Sequence, residues 1–443
     1  MRNGLLRMET DVLAASYAHT LLAGLGMAGH VTVNADHPAL AWRRAGLMAV
    51  TGRADGPGLV APVALTAAAD GALAALQAIA PLAKLPRNGA LLLGERARLL
   101  GLARRGAVSA NGSCRLLRAQ DGQIALNLPR ATDWELVPAL FGEAVSGWAG
   151  VQRIAAKQNC ATLVEQGRLL GLAIAPVEVA SAVIAPGSFP FAIERLASPC
   201  HKASRPLVLD ISSLWAGPLA GLLLQIAGAR VLKVESTGRP DGARGGHSGF
   251  FDLLNAGKAS IVLDFSDLAD IQKLRYLAAN ADIVIESARP RALAGLGLDA
   301  TQMVRRGSTW ISITAHGRDG EAGDWIGYGD DAAVAGGLAS AMQQGWGNAL
   351  FAGDAIADPL TGITAALAGW ASWRSGGGQL ISLALSRVVA HACQLQQAGP
   401  AETRIWQALA VADGGDLYNL RDAVGVARSL GADNALLVDE FRV

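Results

Sequence analysis

From residue 206 onward, short apolar runs recur with helix-sized stretches between them, and that spacing limits the fold more than any other feature. The runs lie at 206–211 (PLVLDI), 229–235 (ARVLKVE), 260–264, 282–286 (DIVIE) and 309–314 (TWISIT). Strands joined through helices need crossover connections, so the spacing predicts an α/β fold with a mostly parallel sheet covered on both faces. Ala216-Gly217-Pro218 opens a helix-like segment to Ala227. Ser266 is expected to cap a helix over 267–279, where Leu268, Ile271, Leu274 and Leu277 recur at a spacing of three. Residues 298–306 read as another helix.

The first half reads differently, and the chain divides near 198–206. Residues 59–82 and 148–172 read as helical. Two apolar runs within 115–128 flank Asp121-Gly122, a hairpin signal because that pair accepts positive φ. Residues 173–179 read as extended, and no complete set of parallel strands stands before Cys200. The 443 residues are 51% hydrophobic and 17% charged, against about 25% charged in an ordinary soluble domain. A sheet buried on both faces accounts for part of that deficit. The formal net charge of +1 excludes a surface built to neutralise nucleic-acid phosphates. Apolar stretches are interrupted about every 10–15 residues, too soon for the roughly 20 that span a bilayer, so no membrane partner is expected. The first ten residues carry two Arg and no following apolar run. No signal peptide is therefore expected, and the location expected is cytoplasmic. Cys114, Cys160, Cys200 and Cys393 form no CxxC pair and read as reduced thiols.

Several site chemistries are excluded by pattern. The first turn after 206–211 reads Leu214-Trp215-Ala216-Gly217-Pro218-Leu219-Ala220-Gly221, without the G-x-G-x-x-G of a conventional dinucleotide site. There is no P-loop, and no His/Cys group has ligand spacing, so no metal is expected. His316, just after the fifth run, reads as a structural or surface histidine.

Six motifs stand in one order: Val208-Leu209-Asp210-Ile211; Ala216-Gly217-Pro218; Gly228-Ala229-Arg230-Val231-Leu232-Lys233-Val234-Glu235; Phe250-Phe251…Asn255…Lys258; Ile285-Glu286…Arg289-Pro290; and Gly353-Asp354-Ala355-Ile356-Ala357-Asp358…Gly362. Together they resemble the class III CoA-transferases, the family of formyl-CoA and carnitine CoA-transferases and 2-methylacyl-CoA racemases. The resemblance runs over about 206–385. It implies a Rossmann-like parallel sheet domain with a smaller α+β cap domain, two chains interlocked as links, and coenzyme A or acyl-CoA as substrate. The family's catalytic Asp falls on Asp358, with Asp354, Asp330 and Asp331 as rival carboxylates. A carboxylate suits the chemistry, because attack on a thioester splits one difficult exchange into easier covalent steps. Asp358 in A-D-P-L-T-G is equally the residue type that caps a helix. The implied CoA positions are Trp215 and Ala216 in the first turn, Asn255 and Lys258 in N-x-x-K, and Ser287 and Ala288 after the fourth strand. Lys258 as a solvated lysine and Trp215 as plain core are the competing readings.

The chain departs from the family pattern in two places. Ser236 or Thr237 replaces an Arg after the K-V-E strand, with Arg239 and Arg244 as substitutes, and Gly295 stands where a second Arg is common. The racemase branch needs a His before Asp in G-H-D. Here Gly327-Tyr328-Gly329-Asp330 has none, which favours an acyl-CoA:carboxylate CoA-transferase over a 2-methylacyl-CoA racemase or a non-catalytic CoA-binding homologue.

The first half resembles a degenerate second copy. Gly71 follows Gly46 at the spacing by which Gly362 follows Gly337, Gly89-Ala90-Leu91-Leu92 is similar to Gly378-Gln379-Leu380-Ile381, and Ala67 stands in the register of Asp358. The expected division is a helical degenerate half at 1–105, a cap-like domain at 106–200, a CoA-binding and catalytic domain at 206–392, and a tail at 393–443. The expected state is a monomer with an internal pseudo-dimer, or a homodimer, acting on an acyl-CoA and a carboxylic acid.

Overall fold

The computed structural model describes residues 2–200 and 204–439. Two sheets organise it. The smaller is an antiparallel meander of β1 (Cys114–Arg118), β2 (Gln123–Asn127) and β3 (Ala173–Pro176). Its β1–β2 turn holds Asp121-Gly122, as the hairpin signal predicts, with Cys114 opposite Asn127 and Arg118 opposite Gln123. The larger sheet has seven strands: β4 (Phe191–Arg195), β5 (Leu207–Asp210), β6 (Arg230–Ser236), β7 (Ala259–Leu263), β8 (Ile283–Glu286), β9 (Thr309–Thr314) and β10 (Gln379–Ala384). They lie in the order β4-β10-β9-β8-β5-β6-β7. β5 to β10 are parallel, and β4 runs antiparallel to β10 at the edge. From β5 the chain winds outward through β6 and β7, then returns to the other side of β5 through β8. The crevice between β5 and β8 is therefore a topological switch point, where doubly wound sheets bind ligands.

Alternate residues along each strand feed opposite faces. Val208, Val231, Ile283, Ile285, Ile311 and Ile381 pack into the largest core. Leu209, Leu232, Val284 and Trp310 pack into a second core under the Leu268–Asn280 and Ala300–Arg305 helices. The Leu268–Asn280 helix begins one residue later than predicted. Asp267, not Ser266, caps it by accepting from the Asp270 N–H at 3.1 Å, while Ser266 is spent on Asp264.

The largest core joins the two halves of the chain. The Ala357–Arg374 helix is buried on almost every side between the Ala216–Ile226 and Leu65–Ile79 helices. Gly362 lets it approach the first of these: a Cβ there would lie 2.7 Å from the Ala216 carbonyl oxygen. The Ala and Gly surplus is thus the composition of helices packed at backbone contact. One proposed correspondence between the halves does not hold. Gly89–Leu99 is a helix capped by Asn88, whereas Gln379–Ala384 is strand β10, hydrogen-bonded between β9 and β4.

After the Pro400–Ala412 helix the chain runs without regular structure across the first half and back to the free edge of β7. There Asn434 mimics a strand, accepting from Val262 N–H and donating to Val262 O, both at 2.9 Å, and Asp433 accepts from Ser260 N–H at 2.8 Å. Among the described residues no helix is long and apolar enough to cross a membrane. Asn434→Ala removes both edge bonds and is expected to lower stability by about 1–2 kcal/mol. Urea unfolding together with faster amide exchange at Val262 checks this.

Candidate active site

At the carboxyl end of β5 the chain turns through Leu214 and Trp215 into the Ala216–Ile226 helix. A cavity of about 250 Å³ opens beside that turn. Leu214, Trp215, Gly242, His247 and Phe250 form the wall from the sheet domain, and Tyr328, Gly329, Asp330, Ala355 and Asp358 form its floor. The remaining wall comes from the first half: Arg96, Leu100, Asn111, Ser113, Asn127 and Pro129. Two lining residues other than glycine take left-handed backbone, Leu214 at φ 70° and Ala355 at φ 41°. Such conformations persist only where the surroundings impose them, and they gather at ligand sites.

Asp358 lies in the first turn of the Ala357–Arg374 helix and lines the cavity. The Ala216 N–H faces its carboxyl and favours the charged form, and one oxygen rests against Gly329, whose missing Cβ leaves the room. Burial pushes the Asp358 pKa up to about 7. The rival carboxylates are close by and more fully occupied. Asp330 accepts from Ala355 N–H at 2.8 Å and Asn111 Nδ2 at 3.1 Å, and burial together with Asp354 raises its pKa to about 7. Asp331 accepts from Asn127 Nδ2 at 2.8 Å and Tyr328 N–H at 3.0 Å, and burial raises it likewise to about 7. Asp354 is sealed from solvent and pairs with Arg96 Nη1 at 2.6 Å.

The residues singled out from the sequence fall into three groups. Trp215 and Ala216 join Asp358: Trp215 lines the cavity, edge-on to Phe250 at 5.2 Å, and Ala216 supplies the N–H that meets the carboxyl. Ser287 and Ala288 stand apart at the end of β8. The Ser287 hydroxyl accepts from Ser213 N–H at 3.2 Å and Ala288 N–H donates to Glu286 at 2.9 Å. Arg289, next in sequence, lines a separate and wider cleft with Arg168 and Trp325. Asn255 and Lys258 are off the cavity altogether, and Lys258 is not a solvated lysine either. Its Nζ donates to Asp210 at 2.9 Å, Pro218 O at 2.8 Å and Asn255 Oδ1 at 3.1 Å, so all three protons are used internally. Burial lowers the Lys258 pKa against the pull of Asp210, and the pair braces the start of the Ala216–Ile226 helix from below. Arg244, named as a substitute basic residue, is committed to Glu235 at 2.6 Å and lies over the Phe251 ring. His316 is half-buried outside the cavity, and loss of hydration pushes its pKa down to about 3.

Sequence reasoning missed Arg96, Asn111 and Asn127. Each holds one carboxylate from more than 200 positions away, and no local spacing signals such a contact. Among the described residues no group of three or more His, Cys, Asp or Glu side chains is arranged to hold a metal ion.

A carboxylate held at a helix start, over a small apolar-walled cavity at the switch point of a doubly wound sheet, defines a small-molecule site of the α/β enzyme type. The particular family follows from comparison with known proteins. Residues 206–411 match the model for CoA-transferase family III. Succinate–glutarate CoA-transferase of Agrobacterium fabrum is 33% identical over 199 residues, 40% of this chain and 49% of that protein. Human succinyl-CoA:glutarate CoA-transferase is 30% identical over 167 residues, 36% of this chain and 38% of the relative. The crystal structure of hypothetical protein Rv3272 from Mycobacterium tuberculosis is 29% identical, covers 44% of this chain and 56% of its own, and aligns with a TM-score of 0.40. The chain thus spans about half or less of the length of these curated relatives.

Removing Lys258 strands Asp210 in the interior. Lys258→Ala is expected to cost about 3–5 kcal/mol of stability, measured by urea unfolding. A stable protein with only weakened acyl-CoA binding would mean that the lysine serves the ligand instead.

Proposed function

We propose that the chain is an acyl-CoA:carboxylate CoA-transferase with Asp358 as its nucleophile. The observation that carries this reading is the setting of Asp358: a carboxyl on the cavity floor, faced by one backbone N–H, at the first turn of a buried helix in the segment that matches the family model. The helix start favours the carboxylate. The Ala216 N–H is placed to steady the charge that shifts as the carboxylate attacks.

The sequence of steps balances without an outside reagent. Asp358 attacks the thioester carbonyl, the C–S bond breaks, and a mixed anhydride forms with release of CoA thiolate. The thiolate then attacks the aspartyl carbonyl, releasing the donor acid and leaving CoA as a thioester on Asp358. The acceptor carboxylate opens that thioester, giving a second anhydride and thiolate. Thiolate attack on the acceptor carbonyl yields the new acyl-CoA and restores the Asp358 carboxylate. Covalent splitting of the exchange in this way is nucleophilic catalysis.

In this reading Trp215 and Ala216 receive the thioester end of CoA, and Ser287 and Ala288 the adenine end, while Asn255 and Lys258 act only by bracing the turn. The first half, residues 1–105 and 106–200, supplies the wall that a partner chain would otherwise give to the catalytic segment at 206–392, with 393–443 as a strap. An internal pseudo-dimer acting in the cytoplasm on small acids fits that arrangement. The named relatives make succinyl-CoA the first donor to try and glutarate the first acceptor.

Asp358→Asn is expected to reduce transfer by about 10⁴-fold or more; a variant keeping full turnover overturns the proposal. The reactive form is the carboxylate. The acylation rate is therefore expected to rise with pH up to about 7 and then level. Stability runs the other way. A raised carboxyl pKa stabilises the fold at low pH, and that contribution is lost as pH rises from the unfolded value of about 4 through about 7. Thermal unfolding from pH 5 to 8.5 is expected to show a smaller loss for Asp358→Asn than for the wild type.

A further inference from the structure

Among the described residues Arg96 is the one Arg or Lys side chain on the cavity wall, which Asp330 and Asp358 also line, with the buried Asp331 and Asp354 behind it. It comes from the Gly89–Leu99 helix of the first half, outside the segment that matches the family. Its guanidinium is pinned on two sides. Nη1 donates to Asp354 at 2.6 Å, and the carbon centre lies 5.5 Å from the Trp215 ring and 5.8 Å from the Phe250 ring. Glu95, next to it on the helix, is clamped by Arg421 of the carboxyl-terminal strap through Nε at 2.8 Å and Nη2 at 2.7 Å.

The pairing with Asp354 is single-point. Arginine facing a carboxylate it fully engages makes two parallel bonds, whereas here only Nη1 is used. Among the described residues Nε and Nη2 have no protein acceptor, and the side chain retains 22% exposure beside the cavity. A rigid guanidinium is left with an unused donor edge. Any carboxylate that enters must approach Asp330, Asp354 and Asp358, and like charges repel over such distances in a poorly hydrated site. One fixed cation with free donors answers that requirement.

We propose that Arg96 anchors the carboxylate of the acceptor acid and presents one of its oxygens to the carbonyl carbon of the Asp358 thioester. This rests on the transferase reading given above. In the step concerned, the acceptor oxygen bonds to that carbon, the C–S bond breaks, and CoA leaves as thiolate, so one negative charge enters and one departs. The arginine acts on the anion before the bond forms, which makes it a determinant of acceptor binding. The reacting group of the donor is a neutral thioester and does not need it.

The test is steady-state kinetics with succinyl-CoA as donor and glutarate as acceptor, on the full chain. Arg96→Gln is expected to raise the glutarate KM about 30-fold, the usual scale for losing a desolvated charged partner. The kcat at saturating glutarate should change far less. Arg96→Lys should recover part of the affinity. The double variant Arg96→Gln/Asp354→Asn separates anchoring from mere neutralisation of Asp354. It should stay defective for glutarate; return of the glutarate KM to wild type overturns the proposal. An unchanged glutarate KM in Arg96→Gln overturns it as well, while leaving the transferase reading intact. Should the wild type transfer from no acyl-CoA tried, that reading fails by itself. Calorimetric binding of glutarate to wild type and Arg96→Gln then still decides the role of Arg96, since equal affinity, or none in either, contradicts it.

Discussion

The rest of the structure depends on the burial of one helix. Ala357–Arg374 is enclosed along nearly its whole length by helices from both halves of the chain and by the face of the parallel sheet. Such enclosure is possible only at backbone contact, which is why Gly362 and Gly369 sit where Ala216, Leu219 and Ile311 press closest. A helix fixed in this way has a fixed first turn. Asp358 in that turn is carried to the crevice between β5 and β8, where the Ala216 N–H meets it. Position of the carboxyl and packing of the core are one constraint.

The same enclosure sets the electrostatics. Four aspartates gathered in a poorly hydrated space cannot all be charged at little cost, and burial raises the pKa of each. The partners that hold three of them come from the first half: Arg96 for Asp354, Asn111 for Asp330 and Asn127 for Asp331. Asp358 is held by no such side chain and faces the Ala216 N–H. The first half gives the large sheet only its antiparallel edge strand β4, yet it completes the site. A cavity wall, an ion pair and two amides are what it contributes.

Much of this was legible in the sequence, for physical reasons. Buried parallel strands are near-continuous apolar runs, so β5 to β9 appear at 206–211 through 309–314 with errors of a residue or two. The Asp121-Gly122 hairpin was legible because its turn demands particular residues. β10 and β4 were not. The first starts directly after a glycine-rich turn and runs straight into a helix, and the second is an edge strand with a mostly exposed pattern. Lys258 was misread because a lysine looks solvated until a buried aspartate 48 positions earlier is placed beside it. Likewise Gly89-Ala90-Leu91-Leu92 and Gly378-Gln379-Leu380-Ile381 look alike as strings, while Asn88 caps the first into a helix and β9 draws the second into a sheet. The family segment carried Asp358 in its motif, but Arg96 lay outside it, with no local pattern to mark it.

The most direct test of the account is mass spectrometry of the intact protein after incubation with succinyl-CoA and no acceptor, followed by hydroxylamine treatment and peptide mapping. An acyl or CoA adduct on Asp358, converted there to a hydroxamate, is the predicted result. No covalent adduct on protein that transfers CoA once glutarate is added, or an adduct on Asp330, Asp331 or Asp354 instead, would contradict it.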